Sequence, residues 1–318
     1  MNSIKIAIIQ NNFSTQNKVN SDWLNKIIYD YKWIKLFKSS NPEDINKNII
    51  ECKKMNIPTI AIDGGDGTAG LVFSCLINNY QNQKSPLIVL LPSGKTNMTS
   101  RSWGIKTSRV KALKILIEKQ IDGQLEKSFT YNAILTVSRN GKSDIHGVFF
   151  GAANIVDSIL FCRKYIYPLK LPNLISHMLA LVAFIKKAFY ETENKNIINI
   201  SEENKLNKKI WEENGNFFII IATTLSELLF ELKPKSVSGL GSINYLSLKH
   251  GIKSTLSLIP SIISKDIKQT QSRTVKKSKC LKIKSISYFT LDGELYETTQ
   301  DEIITLKTNN NLRFIKWK

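Results

Sequence analysis

The chain has 318 residues, and 42% of them are hydrophobic, which is enough for two domains, or one large one, with packed cores. Its four cysteines and three histidines are scattered, with no CxxC pair, which argues against a zinc site, a disulfide framework and a Ser/His triad. No apolar run is long enough to span a membrane, and the first strand is too short for the core of a signal peptide. We therefore expect a cytoplasmic protein.

The net charge of +19 comes mainly from lysine. Two interpretations of this charge are open. The lysines could form an ordinary solvated surface, in a chain that is also rich in Asn and Ile. Alternatively, they could attract an anionic partner such as membrane lipid, a nucleotide or nucleic acid. Charge alone does not choose between these two.

The first 55 residues alternate between strand and helix patterns. Apolar runs predict strands over residues 4–9 and 33–37, and acidic residues in a first turn predict a helix over 42–55. The polar loop after the first strand contains Asn11, which could reach a phosphate or could serve only the turn. This order of elements predicts a parallel, doubly wound sheet.

The next apolar run, residues 59–62, ends in a glycine-rich turn that a predicted helix follows over 69–77. Glycines allow positive φ angles and a close approach of the backbone to a ligand. The amides and the dipole at the start of a helix favour an anion. The pattern predicts a phosphate-binding loop, with a ligand-free structural turn as the alternative. The predicted loop consists of Gly64, Gly65, Asp66, Gly67, Thr68, Ala69 and Gly70.

A second glycine turn follows the continuously apolar strand predicted over residues 86–91. The sequence Gly94-Lys95-Thr96 is similar to the end of a P-loop, but Val89 occupies the position of the first P-loop glycine, which excludes that motif. In open α/β sheets, ligands bind at the carboxyl edge of the strands. Lys95 and Arg101 could therefore add positive charge to the same site. A helix over 109–119 ends this region.

The second half of the chain is rich in strand patterns. Its helix over 174–190 is apolar on all sides across 178–185; we favour a core helix packed on a sheet, and a helix on a membrane surface is the alternative. Residues 201–216 are polar and predict a loop or a solvated hairpin. The remaining pattern indicates a mainly antiparallel second domain. The predicted strands cover residues 130–138, 147–152, 216–223, 243–248 and 281–290.

The sequence Leu291-Asp292-Gly293-Glu294 lies near the end of the chain. Asp-Gly between two strands is typical of a hairpin turn. Two carboxylates beside a glycine would also suit proton or metal chemistry. Taken alone, these residues favour the turn.

Three segments occur in a characteristic order: residues 64–68, 92–105 and 291–294. Together they resemble the diacylglycerol kinase catalytic family in its bacterial lipid kinase branch, with sphingosine kinases and NAD kinases as relatives. The second segment resembles the family's P-x-G-T-x-N-D-x-A-R-x-L-G-I. It matches at Pro92, Gly94, Asn97, Arg101, Gly104 and Ile105, and it departs at Lys95, Met98, Ser100 and Trp103. NAD kinases share only the first segment.

The resemblance implies a doubly wound, Rossmann-like α/β nucleotide domain over residues 1–124. A mainly antiparallel, β-sandwich-like domain would follow over 125–318, with the last residues free to pack back on the first domain. It further implies ATP with Mg²⁺, whose triphosphate would bind residues 64–70. Further nucleotide contacts are expected from Lys95, Asn97, Ser39 and Asn11.

The resemblance also implies catalytic roles. Glu294 matches the residue assigned as general base in the bacterial lipid kinases, and Asp66 matches the base of the sphingosine kinases, so we rank Glu294 first and Asp66 second. Asp292 would orient the turn or Glu294. Bacterial members carry an acidic segment linked to a structural magnesium, whereas residues 238–243 of this chain hold no carboxylate. The metal ligands are therefore left open.

These observations predict an ATP-dependent lipid kinase that phosphorylates a hydroxyl of a diacylglycerol-like or long-chain lipid. The lipid would be presented at a membrane surface, with peripheral contact at an anionic inner membrane and no nucleic acid partner. A NAD kinase-like enzyme is one alternative. A nucleotide-binding regulatory protein that has lost catalysis is the other.

Overall fold

The computed structural model describes residues 3–20, 22–81, 83–169, 171, 173–190, 197–203, 208–236, 238–299 and 301–317. The chain forms two compact units. The first comprises Met1–Ile134 and Asn309–Lys318, and the second comprises Leu135–Thr308.

The first 133 residues contain five strands and five helices among the residues described. The strands are β1 (Ile6–Asn11), β2 (Ile34–Ser39), β3 (Thr59–Gly64), β4 (Leu87–Pro92) and β5 (Phe129–Tyr131). The helices are α1 (Trp23–Ile28), α2 (Pro42–Lys54), α3 (Asp66–Tyr80), α4 (Met98–Ser102) and α5 (Arg109–Ile121), followed by a 3₁₀ turn at Leu125–Lys127.

The rest of the chain is mostly strand. Its strands are β6 (Ile134–Arg139), β7 (Lys142–Gly147), β8 (Phe149–Ala153), β9 (Ile198–Glu203), β10 (Lys209–Gly215), β11 (Phe217–Thr223), β12 (Lys233–Lys235), β13 (Ile243–Lys249), β14 (Asp266–Lys268), β15 (Arg273–Ser278), β16 (Leu281–Lys284), β17 (Tyr288–Leu291), β18 (Glu294–Glu297), β19 (Ile304–Asn309) and β20 (Arg313–Ile315). Its helices are α6 (Asn154–Phe161), a π-helical turn (Cys162–Ile166), α7 (Asn173–Tyr190), α8 (Ile252–Leu256) and α9 (Ile259–Ser264), with 3₁₀ turns at Tyr167–Leu169 and Leu229–Glu231.

The first unit is built on a six-stranded sheet in the order β2-β1-β3-β4-β20-β5. The first five strands run parallel, and β5 is antiparallel to β20. Strands β3 and β4 are buried along their whole length, which is why their sequences are continuously apolar. The predicted α/β fold is confirmed. Strand β5 lies beyond the predicted domain boundary at residue 124, yet it pairs in this sheet.

The helices of this unit begin where the chain supplies capping groups. The Asn41 side chain accepts a hydrogen bond from the Asp44 N–H, and Pro42 occupies the first turn, so α2 begins as predicted. Helix α3 begins at Asp66, three residues earlier than the sequence predicts, because the Gly65 carbonyl accepts the first helical hydrogen bond from the Ala69 N–H at 3.0 Å. Asp66 is thus part of a helix and not of an exposed loop.

The second unit is a β-sandwich with a layer of helices. One sheet has the order β10-β9-β16-β19-β6-β7, and the other, fully antiparallel, has the order β15-β13-β11-β8-β17-β18. Their facing sides share one core, in which the rings of Phe150 and Phe289 stack with centroids 5.1 Å apart. The predicted β-sandwich-like domain is confirmed.

Helices cover the other side of the fully antiparallel sheet. Phe218 and Leu246 of the sheet form a second core with Ile155 of α6 and Phe184 of α7. The Phe184 and Phe218 rings lie 4.7 Å apart between centroids. Helix α7 is therefore packed on a sheet through one side, as the favoured interpretation predicts.

Two predicted strands are wrong. Residues 281–290 form two strands of different sheets, β16 and β17, because Ser285 between them takes a φ of +64°. Residues 130–138 likewise contribute to two different sheets, as β5 and β6. The polar stretch 201–216 contains antiparallel β9 and β10, and its residues 204–207 lie outside the described part. Helix α6 was not predicted.

Within the described residues, every helix is too short or too polar to cross a bilayer.

Candidate functional site

The ends of four parallel strands bring together the nucleotide contacts predicted from the sequence. Asn11 at the end of β1 is paired in register with Ser39 at the end of β2. Gly64 at the end of β3 is paired with Pro92 at the end of β4. Because the strands are parallel, these positions share one edge of the sheet, where ligands of open α/β sheets bind.

The two glycine turns touch at this edge. A Cβ on Gly94 would lie 2.5 Å from the Cα of Gly65, and a Cβ on Gly64 would lie 2.5 Å from the Cβ of Thr68. The Ser93 N–H donates to the Gly64 carbonyl at 3.1 Å. The φ angles of these glycines are not positive, so of the two properties that glycine allows, the chain uses the close approach here. At Gly65 and Gly94 glycine is needed because backbone meets backbone, and at Gly64 because the Thr68 side chain fills the space that a Cβ would take.

The first turn of α3 presents backbone N–H groups at the same edge. Helical bonding starts with the Ala69 N–H, so the amides of Asp66, Gly67 and Thr68 precede the first helical hydrogen bond. Those three amides have no hydrogen-bond acceptor among the described residues. Unsatisfied amides and the positive end of the helix dipole suit an anion such as a phosphate.

Asn11 and Ser39 both make hydrogen bonds within the protein. The Asn11 Nδ2 donates to Thr68 Oγ1 at 2.7 Å, and its Oδ1 accepts from the Phe13 N–H at 2.9 Å. The buried Ser39 Oγ accepts from Asn48 Nδ2 at 2.9 Å. Asn11 therefore ties the end of β1 to the first turn of α3. The nucleotide contacts expected of Asn11 and Ser39 stay predictions.

Asp66 supports a neighbouring helix. Its carboxylate accepts hydrogen bonds from the Met98 N–H at 3.1 Å, the Thr99 N–H at 2.9 Å and the Thr96 hydroxyl at 2.6 Å. The two amides belong to the first turn of α4, so Asp66 caps a helix about 30 residues further along the chain. This fixed position in the first turn of α3 differs from the loop position that we predicted for Asp66.

Asn97 closes the second glycine turn. Its Oδ1 accepts from the Gly94 N–H at 2.8 Å, and its Nδ2 donates to the Gly94 carbonyl at 2.9 Å. Asn97 takes a φ of +49°, which Asn tolerates better than most residues. This two-way contact holds the loop that carries Lys95, whose side chain is partly exposed.

A buried charge pair beneath the edge was missed from the sequence. Asp63 is completely buried at the end of β3, where it accepts hydrogen bonds from the Ser93 hydroxyl and from Gln10 Nε2. An Arg109 guanidinium nitrogen lies 3.9 Å from its carboxylate. Burial raises the pKa of Asp63, and these three partners oppose that rise.

The sequence contains a local signal for one member of this pair only. An aspartate that ends an apolar strand and directly precedes two glycines marks Asp63 as unusual. Nothing local marks Arg109, the first residue of α5, as its partner. Arg109 also stacks over the Trp23 ring, 4.6 Å from the centroid, and donates to the Asn17 Oδ1.

The second unit holds the two other predicted catalytic carboxylates. Asp292 and Gly293, with φ angles of +50° and +89°, form the turn between β17 and β18, which confirms the hairpin. The Asp292 carboxylate accepts hydrogen bonds from the N–H groups of Val148, at 3.1 Å, and Phe149, at 2.9 Å. Asp292 thus fastens the hairpin to β8.

Glu294 directly follows this turn and is exposed. Its Oε1 lies 3.7 Å from a guanidinium nitrogen of Arg163, and the same nitrogen donates to the Gly293 carbonyl at 2.7 Å. Arg163 therefore fixes the turn and places a positive charge beside the Glu294 carboxylate. This carboxylate is open to a ligand from solvent.

The second unit also contains a cavity of about 260 Å³. Its lining combines polar groups from Asn154, Asp157 and Ser287 with apolar groups such as Val156 and Phe217. His250 lines it too, and its Nε2 is buried without a hydrogen-bond partner among the described residues. A ligand with a polar group and an apolar body would match this lining.

The described side chains do not include a cluster of three His, Cys, Asp or Glu residues that could hold a metal ion by themselves. Mg²⁺ commonly needs no such cluster, because it is bound by one or two carboxylates together with substrate phosphates.

Comparison with known proteins bears on this geometry. Residues 5–124 match the diacylglycerol kinase catalytic domain. The matched region contains the whole sheet edge from Asn11 to Asn97. It ends shortly after α5, so the hairpin with Glu294 lies outside it. The comparison with curated proteins found no match.

Solved structures with the same fold extend the likeness over the whole chain. A protein named as a putative diacylglycerol kinase from Bacillus anthracis str. Sterne aligns with a TM-score of 0.67 at 13% identity. A structure of a diacylglycerol kinase from the same organism gives 0.63 at 13% identity, and another named as putative gives 0.67 at 14% identity. Each alignment covers 100% of this chain and 98% of the other.

These comparisons confirm the resemblance to the diacylglycerol kinase catalytic family and the two-part architecture. At such identities the solved structures establish the fold alone. The roles of individual residues, including Lys95, Glu294 and Asp66, stay predictions.

Proposed function

We propose that this protein is an ATP-dependent lipid kinase that transfers the γ-phosphate to a hydroxyl of a diacylglycerol-like or long-chain lipid. One observation carries the proposal: the first turn of α3 offers three amides without acceptors beside two touching glycine turns. It does so within a region that matches the diacylglycerol kinase catalytic domain. Unpaired backbone amides at a helix N-terminus, beside glycines that add no side chain, suit the binding of phosphate groups.

Phosphoryl transfer depends mainly on positioning the phosphates and neutralising their charge. In this proposal residues 64–70 bind the triphosphate through the unpaired amides of Asp66, Gly67 and Thr68, and Lys95 adds a positive charge from the loop that Asn97 closes. Asn11 and Ser39 border the nucleotide at the ends of β1 and β2. Mg²⁺ would accompany the ATP phosphates and neutralise part of their charge.

Asp66 takes a positioning role in this proposal. Its carboxylate is engaged by the first turn of α4 and by Thr96, so it holds the second glycine turn and α4 against α3. These three hydrogen bonds engage the Asp66 carboxylate within the protein, whereas the Glu294 side chain is exposed to solvent. This favours Glu294 as the proton acceptor.

Glu294 is the proposed general base. A lipid hydroxyl is a poor nucleophile at neutral pH, and a positioned carboxylate that takes its proton accelerates transfer by roughly 10²–10⁴-fold. Asp292 acts through Glu294, because its hydrogen bonds to the β8 backbone fix the turn that carries Glu294.

The test is a transfer assay with γ-labelled ATP and Mg²⁺. The acceptors are diacylglycerol, a long-chain amino alcohol and NAD, each supplied separately. We expect labelled lipid and no labelled NAD. Transfer to NAD alone would replace the lipid kinase by a NAD kinase-like enzyme. ATP binding without transfer to any acceptor would instead support a regulatory protein.

A further inference from the structure

Helix α7 exposes a stripe of large apolar side chains. Ile175, Met178, Leu179 and Val182 are between 42% and 58% exposed. Their spacing of three and four residues places them on one side of the helix. Phe184, which packs on the sheet, lies on the opposite side. The stripe is therefore the outer face of a helix that the fold already holds in place.

Neighbouring elements extend this apolar face. The π-helical turn and α8 both pack against α7, and α9 follows α8. The end of α6, these elements and the 3₁₀ turn at Tyr167–Leu169 expose Phe161, Tyr165, Leu169, Ile252, Leu256 and Ile263. We call these residues and the α7 stripe the α7 surface. Soluble proteins seldom expose apolar groups in such numbers on adjoining elements unless the surface binds something.

The charged residues in the two chain segments that carry most of this surface are all basic. Residues 158–190 contain five basic residues and no acidic one, and residues 249–265 contain three lysines and no acidic residue. Lys187 and Lys265 pair with Asp157 and Glu231, which lie outside these segments, at 2.6 Å for the first pair. Even so, basic groups such as Lys164 and Lys253 lie on elements that pack against α7, without any carboxylate in their own segments.

We propose that the α7 surface docks on an anionic lipid bilayer, with α7 lying along the membrane plane and its stripe among the acyl chains. Exposed apolar side chains bordered by lysine are the chemistry of interfacial membrane binding. A second copy of the chain fits less well, because a two-fold contact would set two basic surfaces against each other. This docking role rests on the proposed function, since a lipid kinase must reach an acceptor that stays in the bilayer.

The test is co-sedimentation of the full chain with vesicles. Phosphatidylcholine vesicles are compared with vesicles that also contain phosphatidylserine. The double variant Met178→Ser/Val182→Ser should weaken binding to the anionic vesicles by about tenfold or more, because it removes two apolar side chains from the interface. Ile210→Ser is the matched control, since Ile210 is 63% exposed on β10 of the same unit.

A charge variant tests the electrostatic part. Lys164→Glu/Lys253→Glu should lower binding to the anionic vesicles and flatten its dependence on salt. Unchanged binding by both double variants would overturn the proposal. A second result would also overturn it: the wild type is a dimer that does not bind vesicles, and the stripe variant is a monomer in sedimentation velocity.

The experiment distinguishes a failure of the docking proposal from a failure of the proposed kinase function. Kinase activity is measured in parallel on a short-chain diacylglycerol below its micellar concentration. If the wild type binds vesicles through the stripe but phosphorylates no lipid, the docking surface stands and the proposed function falls. If lipid is phosphorylated but the stripe variant binds vesicles as the wild type does, the docking surface falls alone.

Discussion

Gly65 and Gly94 come so close that a Cβ on Gly94 would lie 2.5 Å from the Cα of Gly65. The two residues belong to different loops, one after β3 and one after β4. Their contact is between backbones, which cannot give way as a flexible side chain would. It sets the distance between the two loops that we assign to the triphosphate.

We expect Gly94→Ala to lower the free energy of unfolding by about 1–3 kcal/mol, the usual cost of overpacking, and to abolish ATP binding. Gly65→Ala should have a smaller effect, because its Cβ would lie 3.0 Å from the Cα of Gly94. Urea unfolding and calorimetric titration with ATP measure the two effects. The control is Gly123→Ala, where the space is open and φ is +63°. It should cost about 1 kcal/mol without affecting ATP.

A pair of Asp66 variants separates a positioning role from a chemical one. Asp66→Ala removes the acceptor for the first turn of α4, and we expect a loss of about 0.5–2 kcal/mol of stability together with most of the activity. Asp66→Asn keeps one acceptor oxygen and should retain a measurable part of kcat. Thermal unfolding and kcat at saturating substrates are compared. An Asn variant that is fully stable but as inactive as the Ala variant would show that the carboxylate does chemistry.

Substitutions at Asp292 and Glu294 should affect different quantities: the first should lower stability, and the second should lower kcat. Asp292→Asn leaves an amide facing backbone N–H donors, so we expect a loss of about 1.5–3 kcal/mol in stability. Glu294→Gln alters an exposed side chain and should change stability by less than about 0.5 kcal/mol, while kcat falls roughly 10²–10⁴-fold. Both variants are measured at saturating ATP and lipid. A Glu294→Gln enzyme within a few-fold of wild type would return the base role to Asp66.

The charge pair under the sheet edge should be strongly coupled. Arg109→Met leaves the buried Asp63 carboxylate without its cation and should cost about 3–5 kcal/mol. Adding Asp63→Asn to this variant should recover part of the loss, because the neutral amide needs no cation. Urea unfolding of the wild type, both single variants and the double variant gives the coupling energy. Additive losses would mean that Asp63 and Arg109 stabilise the unit independently.

Protonation of Glu302 in acid should lower the free energy of unfolding. The Arg139 guanidinium donates to both of its carboxylate oxygens, at 2.6 Å and 3.1 Å, and holds the pKa of Glu302 below its ordinary value. A carboxyl group whose pKa is lower in the folded protein stabilises the fold at pH values above its pKa in the unfolded chain, about 4.3. This stabilisation is lost as the pH falls through the pKa of the folded state. We expect Glu302→Gln to be less stable than wild type at pH 7 and to lose less on acidification.

Urea unfolding at pH 7 and below pH 4 measures this difference, with the exposed Glu118→Gln as the control. A Glu302→Gln protein whose stability falls with pH as steeply as that of the wild type would show that other carboxylates carry the acid sensitivity.

Much of the first unit could be predicted because its signals are local. Strands β3 and β4 are buried on both faces, so their sequences are apolar throughout, and glycines follow them where the loops touch. The start of α2 could be predicted from Asn41 and Pro42, which act within one turn. Register and sheet order are long-range properties. The resemblance allowed the last residues to pack back on the first domain, but only the structure places β20 between β4 and β5 of the first sheet.

The sequence by itself determined the α/β class of the first unit, the mainly antiparallel strands of the second and the glycine turns of the candidate site, since each leaves a pattern within a few residues. The β-sandwich arrangement of the second unit was implied only by the family resemblance. Only the tertiary structure decided that Asp66 caps α4, that Arg109 meets Asp63 and that Asp292 fastens its hairpin to β8. It also decided which side of α7 faces outward. These outcomes depend on partners distant in sequence, and a helix that is apolar all round carries no local record of which side its sheet will cover.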